Sequence, residues 1–87
     1  MSEHEIKTQF TLEELARLCA VEQEWVVHHV EEGLLIAAAG EPRFTVTTLV
    51  RARRIRQIER DYDAVPELAA LVADLLEELD ARRSHSR

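Results

Sequence analysis

Residues 10–35, FTLEELARLCAVEQEWVVHHVEEGLL, predict a helix, a tight turn, a second helix and a Gly-Leu-Leu stop: a helix-turn-helix. Thr11 is a good N-cap, and Glu13 and Glu14 fall in the first turn, where a carboxylate satisfies free backbone N–H groups and the helix dipole. Leu12, Leu15, Ala16, Leu18 and Cys19 recur at steps of three and four, giving one apolar stripe on a helix that ends near Ala20. Val21 bridges into the second helix, residues 22–32, where Val26 and Val30 share a face with Trp25 and His29 beside them. Gly33 stops it, because glycine takes the left-handed conformation that closes a helix, and Leu34 and Leu35 then pack back on the core.

Outward from this motif, residues 36–45, IAAAGEPRFT, are apolar at the start, broken by Gly40 and Pro42, and resume at Phe44, the pattern of a small two-stranded hairpin or wing. A third helix is predicted from Thr47 or Thr48 to Tyr62, with Leu49, Ala52, Ile55, Ile58 and Tyr62 inside and Arg51, Arg53, Arg54, Arg56 and Arg60 mostly outside. Asp63 is a candidate N-cap for a fourth helix, with Pro66 in its first turn, where a missing N–H costs nothing. There Val65, Leu68, Val72, Leu75 and Leu79 follow steps of three and four, Ala69 and Leu76 widen the stripe, and Leu71 lies on the far side. The stripe exceeds what one small core needs, so Leu68, Leu71, Val72, Leu75 and Leu79 are the expected homodimer interface. The organisation expected is one helical domain over residues 10–81, with flexible ends at 1–9 and 82–87.

At 87 residues only about 60% of the unfolded chain's surface can be buried, which allows a single small core. No apolar run approaches the roughly 18 residues of a membrane span, and residues 1–5, MSEHE, lack a basic start followed by an apolar stretch, so an unexported cytoplasmic protein is expected. The single cysteine, Cys19, reads as a small core residue. The net charge of −6 hides a segregation: residues 1–42 carry nine acids against two bases, residues 43–60 one acid against six bases, and residues 61–87 seven acids against three bases. Such charge separation governs the choice of partner more than the fold.

The second helix holds the decisive chemistry. Glu22, Glu24, Glu31 and Glu32 lie on or beside it and it contains no Lys or Arg, whereas a surface that meets DNA neutralises phosphates with cations. The scaffold therefore reads as one that grips protein instead of nucleic acid. Two readings of the four acids stay open, a docking surface and a solvated face. Two also stay open for Trp25, an interface anchor and a cover for the core edge. His28 and His29 are adjacent, hence about 100° apart, and do not share a metal readily; an exposed His28 and a packed His29 are expected, with no metal and no cofactor. The arginines of the third helix invite a nucleic-acid reading, but salt bridges to the surrounding acids are favoured over it. No Gly-rich phosphate loop, nucleophile elbow or metal-ligand spacing is present, so no enzyme is expected.

In order and spacing, FTLEELARL, EEGLL at residues 31–35, RFT at 43–45, RARRIR at 51–56 and VPELAALVADLLEEL at 65–79 resemble the chaperone modulatory protein family CbpM, itself similar to the DNA-binding domain of MerR-type regulators. The resemblance implies an all-α, MerR-like winged helix-turn-helix with four helices and a small two-stranded wing. Where MerR-type chains carry Thr-Leu-Arg-Tyr-Tyr-Glu, this chain has Trp25, Val26, Val27, His28, His29 and Val30, so the arginine has become Val27. The wing offers Arg43 and Phe44 alone, and Tyr62 stands where a glycine is expected between the third and fourth helices. The function implied is binding of the J-domain of a DnaJ-like co-chaperone, CbpA, with inhibition of its co-chaperone and DNA-binding activities. The residues chosen here for that contact, from charge and exposure, are Glu22, Glu24, Trp25, His28, Glu31 and Glu32, then Arg51, Arg54 and Arg56. The alternative function is a small MerR-like or excisionase-like DNA-binding regulator.

Overall fold

Four helices and a two-stranded antiparallel sheet make up the fold in a computed structural model of the chain, which describes residues 8–38 and 43–85. The order is β1 (Gln9–Thr11), α1 (Leu12–Cys19), α2 (Gln23–Glu31), β2 (Arg43–Thr45), α3 (Val46–Tyr62) and α4 (Pro66–His85). Thr11 opens α1 through a capping box: its hydroxyl accepts from the Glu14 N–H at 3.1 Å, and the Glu14 carboxylate accepts from the Thr11 N–H at 2.9 Å. The turn into α2 is closed at Ala20, which sits left-handed at φ 58°, while the N–H groups of Ala20 and Val21 donate to the carbonyls of Arg17 and Ala16. Gly33 ends α2 in the same way at φ +77°, with Leu34 N–H bonded to the His29 carbonyl and Leu35 buried.

The sheet is not the local hairpin expected over residues 36–45. Strand β2 pairs with β1, Phe10 opposite Phe44, so two buried aromatic rings share the inner face. A pair of large apolar side chains rewards that long-range register more than residues 36–38 do; these give one ladder-like bond, Ala38 N–H to the Arg43 carbonyl at 2.7 Å. Gln9, assigned from sequence to a flexible end, is thereby part of a strand. The expected turn at Gly40 and Pro42, like residues 1–7 and 86–87, lies outside the described residues.

Helix α3 begins at Val46, capped by Thr45, one or two residues before the predicted start, because the Thr45 hydroxyl accepts from the Thr48 N–H and Thr48 in turn donates to the Ile36 carbonyl. Ala52, Ile55 and Ile58 face the core as expected, but Tyr62 does not: it is 76% exposed. Asp63 caps the C-terminus of α3 at φ 51° instead of the N-terminus of α4, so the left-handed residue of this link stands one position after Tyr62.

Helix α4 has two apolar faces. Ala69, Ala70 and Ala73 are buried in the core beside α3, where small side chains permit close approach. Leu68, Leu71, Leu75 and Leu79, on another face, are 52%, 55%, 54% and 51% exposed, and Val72 is half-buried. The helix continues to His85, through residues expected to fray. Among the described residues no helix is long and apolar enough to cross a membrane.

Candidate protein-docking surface

Helix α2 is short, and its two faces do different things. Inward, Val26 is buried with Leu15, Leu35 and Phe44 in one core. Trp25 and His29, one turn apart, stack at 3.7 Å between ring centroids and turn toward Glu59 of α3. The Trp25 indole N–H donates to Glu59 Oε1 at 2.9 Å, His29 Nε2 lies 2.6 Å from Glu59 Oε2, and His29 Nδ1 lies 2.7 Å from the Trp25 carbonyl. His29 is 2% exposed, so this carboxylate holds the inner side of α2 against α3 by bonds that water does not share.

Outward, Glu22, Glu24, His28 and Glu31 join Leu12 and Val27 around one shallow groove of about 670 Å3, with no Lys or Arg among its described lining residues. The helical repeat explains the grouping, since positions 24, 28 and 31 are spaced by four and three. Glu32, at the end of α2, is exposed but lies off the groove. A smaller cleft of about 260 Å3 adjoins it, floored by Val26, Val30, Ala37 and Phe44, and the two meet at Leu12, Val27 and Glu31. An acidic rim around an apolar floor is complementary to a basic segment that presents an aliphatic side chain.

Of the residues selected from sequence for partner contact, the structure therefore brings Glu22, Glu24, His28 and Glu31 together. Trp25 is half-buried and engaged within the chain, because its indole N–H meets Glu59. Arg51 and Arg54 are also engaged internally. Arg51 Nε donates to the Leu34 carbonyl at 2.8 Å and its guanidinium meets Asp74 and, at 3.7 Å, Glu77; Arg54 meets Asp80 at 3.2 Å. Arg56 lines a separate depression at the end of α1. Sequence reading missed Glu59, and the signal available was a lone acid in the basic segment 43–60.

Among the described residues no group of His, Cys, Asp and Glu is placed to hold a metal ion. Cys19 is buried, and burial pushes its thiol above the ordinary value of 9.0, against a smaller opposing pull from the Arg53 guanidinium. Fold and site together define a small helical domain with an acidic, apolar-floored groove. Compared with known proteins, the chain matches no family model, no curated protein and no solved structure.

Proposed function

We propose that this protein is a binding modulator, similar to the CbpM chaperone modulators, that caps the J-domain of a DnaJ-like co-chaperone. Its MerR-like winged helix-turn-helix scaffold serves peptide recognition in place of DNA reading. The observation that carries this reading is the gathering of Glu22, Glu24, His28 and Glu31 around one groove with an apolar floor. J-domains present a basic helix to their Hsp70 partner. An acidic groove speeds encounter with such a helix, and a bound modulator occludes it without catalysis, metal or cofactor. The same carboxylates repel duplex phosphates at the position where a reading helix would need cations. The proposed location is the cytoplasm, where the single thiol of Cys19 stays reduced.

We infer also that two copies pair through α4. Its leucines at 68, 71, 75 and 79 lie nearly symmetrically about the middle of the row, so an antiparallel copy sets leucine against leucine. That arrangement also brings Arg82, near the end of α4, toward Asp63 and Glu67 at the start of its partner.

The experiment is a titration of the isolated J-domain with wild-type protein and with Glu24→Lys/Glu31→Lys. Binding that weakens about tenfold or more in the variant, and falls as salt rises, supports the reading. Equal affinity of the two proteins, or submicromolar binding to a duplex with a steep salt slope and no J-domain capture, overturns it in favour of a DNA-binding regulator.

A further inference from the structure

The arginines of α3 divide into two groups by what they meet. Arg51 and Arg54 face α4 and are engaged with Asp74, Glu77 and Asp80. Arg53, Arg56 and Arg60 stand at spacings of three and four, on one side of the helix over about 10 Å. With Cys19, Ala20 and Asp61 they line a depression of about 340 Å3 at the end of α1. No salt bridge joins these three guanidiniums to a carboxylate among the described residues.

Two observations make this arrangement costly as it stands. Like charges at spacings of three and four repel, by about 0.2–0.5 kcal/mol per pair in an isolated helix. Arg56 Nε is buried without a hydrogen-bond partner, and leaving a buried donor unmade costs about 1–3 kcal/mol. An oxyanion bound in the depression relieves the repulsion.

We propose that this depression binds the phosphate group of a small molecule. Three guanidiniums against the one carboxylate of Asp61 leave two positive charges, which matches the −1.5 to −2 of a phosphate monoester, about twice what a single carboxylate carries. Guanidinium forks suit the tetrahedral oxygens and bind them through paired N–H donors. A concave site of this size admits one phosphate or a diphosphate. A duplex backbone needs an extended cationic surface, and Arg51 and Arg54, which would lengthen this one, are turned to α4.

The test is calorimetric titration at constant ionic strength with inorganic phosphate, pyrophosphate and acetate, and with a short duplex. Wild-type protein is expected to bind phosphate or pyrophosphate with Kd below about 1 mM. Arg56→Gln and Arg53→Gln/Arg60→Gln are expected to lose about tenfold or more, and Arg54→Gln is expected to bind as wild type. Because removal of a repelling charge does not unfold the helix, thermal stability of Arg56→Gln serves as the folding control. No binding of either phosphate probe, undiminished binding by Arg56→Gln, or acetate binding as tight as phosphate overturns the proposal. Duplex binding tighter than pyrophosphate, with a steep salt dependence, overturns it as a small-molecule site.

Discussion

Glu59 and His29 meet across α2 and α3 at 2.6 Å. The Nδ1 of His29 faces the Trp25 carbonyl, which only accepts, so Nδ1 donates there, and Nε2 meets Glu59 Oε2. This contact ties α2 to α3 behind the acidic groove, and the Trp25 ring stacks on His29.

Replacing Glu59 separates charge from hydrogen bonding. In Glu59→Gln the amide oxygen still accepts from Trp25 and the amide N–H2 donates to a neutral His29, so every polar atom stays paired and stability is expected to change by less than about 1 kcal/mol. In Glu59→Leu the buried histidine and the indole N–H both lose a partner, with an expected loss of about 1–3 kcal/mol in urea unfolding. Equal losses in both variants would show that the charge, not the bonding, holds the helix.

The helix-turn-helix was legible because capping and stripe agree: Thr11, Glu14, the Leu15–Ala16–Cys19 face and Gly33 each have a local physical meaning. The sheet was not, since the pairing of Phe10 with Phe44 rests on residues 34 apart and three-residue strands have no periodicity to read. For the same reason Glu59 was invisible as the partner of Trp25 and His29, and the arginines of α3 read as one group although their helical angles send them to different neighbours. The grouping of Glu24, His28 and Glu31 was legible, because it needs only the helical repeat.

Two left-handed residues predict substitutions of opposite sign. Gly33 at φ +77° has open space where a Cβ would stand, so Gly33→Ala is expected to cost about 1 kcal/mol from backbone strain alone. Ala20 at φ 58° already bears that strain, and Ala20→Gly is expected to gain a few tenths up to about 1 kcal/mol. Both are read as shifts of the urea midpoint at constant slope, and a gain from Gly33→Ala would contradict the role of this turn.

Cys19 gives a prediction about alkaline pH. Its folded thiol titrates above the unfolded value near 9.0, so between the two values the native state holds the extra proton and stability falls as pH rises. Below pH 9 the contribution is fully present. Unfolding measured from pH 8 to 11 should show this decline in wild type and less of it in Cys19→Ala, once each curve is referred to its own value at pH 8. At pH 8 the native thiol should react with iodoacetamide at least about tenfold more slowly than the urea-unfolded chain.

The leucine face of α4 predicts both an oligomeric state and a direction. Leu75→Lys/Leu79→Lys alters side chains that are 54% and 51% exposed, so helical circular dichroism should persist while sedimentation falls from twice the 10.0 kDa chain mass to the chain mass. Direction follows from cross-linking. Leu68 and Leu79 stand about 16 Å apart along the helix, whereas a disulfide needs Cα atoms within about 7 Å. In an antiparallel pair, Leu68→Cys protein should therefore oxidise to a covalent dimer with Leu79→Cys protein, and neither should do so alone. Self-linking of each variant would mean a parallel pair, and a wild-type chain that sediments as a monomer at high micromolar concentration would leave the leucine face to another protein.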